Sequence, residues 1–122
     1  MNTSKILALS IAAAIAASSG SAMASSDDGA KLFKKKCSTC HTVEAGKHKT
    51  GPSLAGVIGR QAGSTDFSKY KALKGADFSW DEANLAEWIE DPKKFIGKPT
   101  AMTVKVKKED ERAAIIEYLK EN

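Results

Sequence analysis

The sequence predicts an all-α fold. Apolar residues recur at helical steps in three separate stretches, and no hairpin turn signal joins two apolar runs. A first helix is predicted over 27–40, where Ala30, Phe33, Cys37 and Cys40 fall on one face at steps of three and four. Asp27 and Asp28 sit at its positive end, and Lys31, Lys34, Lys35 and Lys36 form a solvated flank. From Thr42 to Thr65 the glycines Gly46, Gly51, Gly56, Gly59 and Gly63 mark a long loop with short turns, a feature that is usually functional in a small domain. A short helix is predicted over 66–74, ended at Gly75. Ser79-Trp80-Asp81-Glu82 has the capping-box pattern of a helix start, followed by the apolar stripe Leu85, Trp88 and Ile89 and stopped at Asp91-Pro92. Lys93 to Lys107 lacks a helical period and reads as loop. The last helix is predicted over 108–120, acidic at its start and buried through Ile115, Ile116 and Leu119. No internal repeat is present.

The only two cysteines stand in the run Cys37-Ser38-Thr39-Cys40-His41. A C-x-x-C-H run is the attachment site of a c-type haem. Two thiols three positions apart each add across one porphyrin vinyl group, and the histidine that follows lies under the iron. Three other readings compete. A thioredoxin-like dithiol needs alternating strands and helices, which are missing here. A zinc site needs four ligands, and only His41 and His48 accompany the cysteines. A structural disulfide suits an exported protein.

Export is indicated by the first residues. Lys5 supplies a positive start, Ile6 to Ala17 is apolar except for Ser10, and Ala22-Met23-Ala24 is an A-x-A cleavage signal. Residues 1–24 are therefore expected to be a cleaved signal, leaving one domain over 25–122. The apolar core is short and alanine-rich for a membrane anchor, and nothing after residue 24 resembles a membrane span. The expected location is a bacterial periplasm, where haem is joined to such motifs. Cleavage removes one lysine and no acid, so the net charge falls from +4 to +3. A mild positive balance suits transient docking to acidic partners. The lysines show no aromatic interleaving, which argues against nucleic-acid binding.

An iron held by His41 needs a sixth ligand or an open position. Met102 is the only methionine left after cleavage, and it stands in an irregular stretch after Pro99. A lone methionine is ordinarily a core filler, but core fillers sit on packed elements. His48 is only seven residues from His41, too close to reach the other face of a haem easily. Met102 is the favoured ligand; a thioether favours Fe(II) and raises the potential.

At this point the chain resembles class I cytochrome c, of the small bacterial type close to mitochondrial cytochrome c. The likeness spans residues 25–122. It runs through Gly29 and Phe33, Cys37-Ser38-Thr39-Cys40-His41-Thr42-Val43-Glu44, Gly46 to Pro52, Gly59-Arg60, Trp80, Asp91 to Ile96, Met102 and Tyr118-Leu119. The resemblance implies a cytochrome c fold: three main helices plus short helices and long loops wrapped around one haem, covalently bound through Cys37 and Cys40. It implies His41 and Met102 as iron ligands and a Pro52 carbonyl that accepts a hydrogen bond from the ligand histidine. Arg60, Trp80 and Thr100 match residues beside a haem propionate, and Gly29, Phe33 and Tyr118 match the contact of the first and last helices. Lys36, Lys49, Lys93, Lys94, Lys107 and Lys108 match a docking ring for redox partners such as an oxidase, reductase, dehydrogenase or reaction centre. Departures are equally plain. Lys69 stands where a propionate-binding tyrosine is expected, with Tyr70 one position later; Ala101 precedes Met102, Val104 follows where an aromatic is common, and the loop Gly97 to Met102 is one residue longer.

The function expected is a periplasmic, monomeric one-electron carrier, not an enzyme. The rival is a haem protein with an open iron site, peroxidase-like or gas-binding, which requires Met102 to be off the iron. Helical-bundle haem proteins of that kind carry C-x-x-C-H near the C-terminus, whereas here it lies near the start.

Overall fold

A computed structural model of the chain describes residues 25–122; the expected signal over 1–24 lies outside the described residues. Among the described residues four helices form: α1 (Ser26–Lys36), α2 (Glu82–Glu90), α3 (Pro92–Ile96) and α4 (Glu109–Lys120). Two loop stretches separate them, 37–81 and 97–108. Among the described residues the only sheet-like feature is an isolated antiparallel bridge between Gln61 and Ser79.

Helix α1 begins at Ser25, whose side chain accepts from the Asp28 N–H at 3.2 Å. Acids in its first turn and lysines in its last complement the dipole. It ends earlier than the expected 27–40. Cys37 is the C-cap and residues 37–40 form turns, so Cys40 is not on the helix. The Ser38 hydroxyl donates to the Lys34 carbonyl, and a side chain that competes for main-chain acceptors ends a helix readily.

The expected helix over 66–74 is absent; the segment is a series of turns. Its start has one cap-type bond, from the Phe67 N–H to the Thr65 hydroxyl at 3.3 Å, and no helix follows. Asp66 is paired with His48, and Thr65 bonds the Tyr70 hydroxyl at 2.6 Å.

Helix α2 is capped two residues later than the pattern suggested. Asp81 accepts from the Asn84 N–H at 2.7 Å, and Asn84 accepts in return from the Asp81 N–H at 2.8 Å. Ser79 lies instead in the bridge to Gln61. The apolar stripe Leu85, Trp88 and Ile89 is buried as expected.

The stretch after Pro92, expected as loop, opens with α3. Asp91 ends α2 and caps α3, accepting from the Lys94 N–H at 3.2 Å. Pro92 cannot continue α2, yet its fixed φ suits the first position of a new helix. Gly97 closes that helix in the left-handed conformation at φ 73°. This short element carries Phe95 onto Trp80, with ring centroids 6.0 Å apart and nearly parallel. Trp80 also meets Trp88 at 5.6 Å and Phe78 at 5.1 Å. Helix α4 lacks a side-chain cap, but Glu109, Asp110 and Glu111 meet its positive end.

Helices α1 and α4 make the closest contact in the fold. A methyl group built on Gly29 would lie 1.9 Å from the Ala114 carbonyl oxygen, so only glycine allows this approach. Phe33 and Tyr118 pack beside it at 5.3 Å. Helix α2 packs against α3 and α4, and the core lies between them, with Val57, Val106 and Ile115 each 1% exposed.

The Gly29→Ala variant must separate two backbones. We expect it to cost about 2 kcal/mol, lowering Tm by roughly 8–16 °C for a domain of this size. An unchanged thermal unfolding curve would refute the close packing at this point.

Candidate functional site

Where α1 ends, the turn at 37–40 turns Cys37, Cys40 and His41 into one deep cleft. Its backbone is tied by the Cys40 and His41 N–H groups, which both donate to the Cys37 carbonyl, at 3.0 and 2.9 Å. The Gly51 N–H donates to the Cys40 carbonyl at 2.7 Å, bringing the next loop alongside. That loop passes so close that a methyl group on Gly51 would sit 2.3 Å from the His41 ring.

His41 Nδ1 lies 2.8 Å from the Pro52 carbonyl oxygen. A carbonyl only accepts, so Nδ1 carries the proton and Nε2 keeps a free lone pair. Burial holds the imidazole below its ordinary pKa; nearby Arg60 and Lys49 push the same way, against the bond to Pro52. The ring is therefore neutral, with one ligating nitrogen available.

The cleft is partly open to solvent, and most of its lining is apolar. Leu54, Val57, Leu85, Trp88 and Ile115 line it from the core side. Met102 and Thr100 line the same cleft from the segment between α3 and α4. The Thr100 hydroxyl donates to the Met102 carbonyl at 2.7 Å, fixing the turn that carries the thioether.

This segment has no secondary structure of its own, and charged and buried groups hold its far end. Asp91, at the α2–α3 junction, faces Lys105 at 3.4 Å and Lys107 at 3.9 Å. Val106 is buried and its N–H donates to the Ile89 carbonyl at 2.7 Å. Arg112 donates to the Val106 and Lys107 carbonyls at 3.0 and 2.9 Å.

Arg60 and Trp80 also line the cleft. The Arg60 Nη1 donates to the Ser53 and Ala55 carbonyls, at 2.9 and 3.0 Å, while its Nε is buried without a partner. An unpaired cationic N–H in such a place is costly unless an anionic group meets it. Tyr70 and Lys69 both line the cleft; Tyr70 is half-buried and Lys69 exposed. The sequence patterns did not single out Tyr70 for the cleft, because it is displaced by one position. His48, the discarded ligand candidate, has both ring nitrogens engaged, by Asp66 and the Ser53 N–H.

The lysines differ in availability. Lys36 pairs with Glu111 at 3.0 Å and Lys107 faces Asp91. Lys49 donates to the Ser38 carbonyl. Lys93, Lys94 and Lys108 are exposed.

These features decide among the readings of Cys37-x-x-Cys40. Both cysteines are free rather than joined in a disulfide. Burial pushes the Cys37 thiol up to about 11, with Lys36 opposing and Cys40 adding to the rise. A dithiol oxidoreductase needs a depressed thiol pKa, not a raised one. Among the described residues no three His, Cys, Asp or Glu side chains cluster as metal ligands. A covalently attached haem fits what is present: two free thiols at the mouth of a large apolar cleft, a neutral imidazole with a free Nε2, and an unpaired buried N–H for an acidic group.

The class defined by this fold and cleft is a c-type haem protein with its attachment site after the first helix. Comparison with known proteins agrees. A cytochrome c family model matches residues 26–122. Proteins named cytochrome c are similar over most of both chains. That of Theileria annulata is 43% identical over 94 residues, covering 76% of this chain and 82% of the relative. That of Sesamum indicum is 44% identical over 95 residues, covering 76% and 86%. That of Ginkgo biloba is 41% identical over 95 residues, covering 76% and 84%. The chain belongs to the cytochrome c family. It carries a haem c attached through Cys37 and Cys40, and its role is electron carriage.

The junction at Asp91 gives a pH dependence of known sign. The bond from the Lys94 N–H, with Lys105 and Lys107 nearby, holds the Asp91 carboxyl below the usual carboxylate range. A lowered folded-state pKa adds stability above the unfolded value of about 3.9, and that stability is lost as pH falls through the folded value. Asn still caps a helix well, so Asp91→Asn isolates the charge. Its Tm should lie below that of the parent at pH 7, with the gap closing as pH falls through the lowered folded-state value. A gap that persists in acid would show that the carboxylate charge is not what stabilises the junction.

Proposed function

We propose that this chain is an exported, periplasmic one-electron carrier whose haem iron is held between His41 and Met102. One observation carries the reading: a single apolar cleft is lined by both thiols, by a neutral imidazole and by the one methionine within residues 25–122. When bound, the haem supplies a Fe(III)/Fe(II) couple.

The chain's residues define how that couple is used. Cys37 and Cys40 anchor the group. His41 offers Nε2 because Pro52 holds its Nδ1 proton. Met102, on a turn braced by Thr100, offers a thioether that favours the reduced state. The apolar walls exclude water and disfavour the additional positive charge of the oxidised state. Arg60, with its buried unpaired Nε, and Trp80 match propionate-side residues of the resembled family and would meet that group here, whereas the Thr100 proton is given to the Met102 carbonyl. His41 and Met102, which line the same cleft, would both hold the iron and leave no position for a substrate, which supports a carrier rather than an enzyme. The rival with an open iron site lacks a comparable observation in its favour.

Location and partners complete the proposal. The Lys5 start, the apolar run and Ala22-Met23-Ala24 support export of a domain beginning at Ser25. Among the described residues no helix is long and apolar enough to cross a membrane. The docking face is formed by Lys36, Lys49, Lys93, Lys94, Lys107 and Lys108, and it meets acidic redox proteins as a monomer. Of these, exposed Lys93, Lys94 and Lys108 contribute most, since Lys36 and Lys107 already face carboxylates.

Visible spectra of protein matured in a periplasm test the ligation. The parent should give sharp reduced c-type bands unchanged by carbon monoxide, whereas Met102→Ala should bind carbon monoxide. Carbon monoxide binding by the parent would sink the carrier reading and favour the open-site rival.

Docking is tested by stopped-flow transfer to an acidic redox protein. The second-order rate should fall at least about tenfold between low and high salt, and Lys93→Glu with Lys94→Glu should flatten that dependence. A rate indifferent to salt would remove the lysine face from the mechanism.

A further inference from the structure

One peptide group joins the two histidines. The Pro52 carbonyl accepts from His41 Nδ1 at 2.8 Å, and the N–H of the same peptide, on Ser53, donates to His48 Nδ1 at 2.9 Å. His48 Nε2 in turn meets Asp66 Oδ1 at 2.5 Å. The partners assign every proton. A backbone N–H only donates, so His48 Nδ1 is bare; an ionised carboxylate only accepts, so His48 Nε2 carries hydrogen. The bonds therefore run in one direction, from His41 through the peptide and His48 to Asp66.

The surroundings keep this chain in register. Ser53 is 2% exposed, its hydroxyl donates to the Glu44 carbonyl at 2.6 Å, and its carbonyl accepts from Arg60. The His48 ring meets Phe67 edge-on at 5.6 Å. Asp66 itself is 86% exposed, yet the bond from His48 holds its carboxyl below the usual range. Hydrogen bonds in such a chain polarise one another. Negative charge on Asp66 makes His48 a better acceptor, which draws on the Ser53 N–H and enriches the Pro52 carbonyl. That carbonyl then pulls harder on the His41 proton, and Nε2 becomes a stronger donor.

We propose that His48 and Asp66 are positioning residues that set the donor strength of His41 through the Pro52–Ser53 peptide, and so lower the reduction potential of the bound haem. The inference rests on the ligation by His41 proposed above.

The test is a double-mutant cycle on the haem-loaded protein, read by potentiometry and by proton NMR of the His41 ring. Asp66→Asn keeps the shape and an acceptor oxygen but loses the charge. It should raise the potential by about threefold in the oxidised/reduced equilibrium, which at 59 mV per decade for one electron is about 28 mV. It should also shift the His41 Nδ1–H resonance. In a His48→Phe background, where the chain is already cut, Asp66→Asn should change neither reading. Asp66→Glu should restore both in part.

A direct field from an exposed carboxylate would give the same potential shift in both backgrounds, fade in high salt, and leave the Nδ1–H resonance in place. That pattern overturns the relay, as does an unchanged potential in Asp66→Asn. Should the parent show no hyperfine-shifted His41 ring signals, the ligation reading fails first and the relay with it.

Discussion

The bond from His41 Nδ1 to the Pro52 carbonyl is the constraint on which the site depends. It chooses the tautomer, and the tautomer leaves Nε2 as the single nitrogen able to ligate. Much of the local structure serves to keep that carbonyl in place. The Gly51 N–H donates to the Cys40 carbonyl, Gly51 itself leaves room for the ring, and Ser53 is held on both sides by main-chain and side-chain partners. The 42–65 loop thus has the density of bonds of a regular element without its periodicity. Its glycines permit close approach at Gly51 and a left-handed turn at Gly59 (φ 86°), beside the pairing of Arg60 with Trp80.

The two main supports of the cleft are of different kinds. On the α1 side the frame is steric. Gly29 lets two backbones touch, and the contact of α1 with α4 fixes the base from which Cys37 leaves the helix. On the Met102 side the frame is polar, since the segment has neither helix nor strand. Asp91 gathers Lys105 and Lys107, and Arg112 collects two carbonyls. Buried Val106 adds an apolar anchor between them. The methionine thus stands on a segment held at its far end by charged groups, whereas the histidine is embedded in the loop of glycines.

Legibility in the sequence followed the range of each interaction. The stripes Leu85, Trp88, Ile89 and Ile115, Ile116, Leu119 are local patterns, and both are buried as their periodicity requires. The C-x-x-C-H run is local too, and its meaning did not depend on the surrounding fold. What escaped was decided by competition between partners. The capping box formed at Asp81 and Asn84 because Ser79 was drawn into the bridge to Gln61. Helix α3 is not legible in the pattern because Pro92 marks a stop for α2, although a proline that ends one helix also fits the first turn of the next. Turns replace the expected helix over 66–74, where Asp66 is drawn to His48 and the Thr65 hydroxyl bonds Tyr70. No spacing rule links His48 to Asp66, which are 18 residues apart.

A proton can be donated only once, and this limits how the cleft meets an acidic group. The Thr100 proton is committed to the Met102 carbonyl. The two Arg60 Nη1 protons go to two carbonyls, while its Nε is buried and unpaired. For Tyr70 the assignment turns on Thr65, whose oxygen already accepts from the Phe67 N–H at 3.3 Å. If Thr65 donates to Tyr70, the Tyr70 proton is free to turn into the cleft; if Tyr70 donates, it is not. An anionic group in the cleft favours the first arrangement, because it gives the phenol a charged acceptor in place of a neutral one. Residues resembling propionate ligands thus divide into two sets. Thr100 fixes the chain around the site, while Arg60 retains a donor for what the site holds, and Tyr70 does so where Thr65 is the donor of their shared bond.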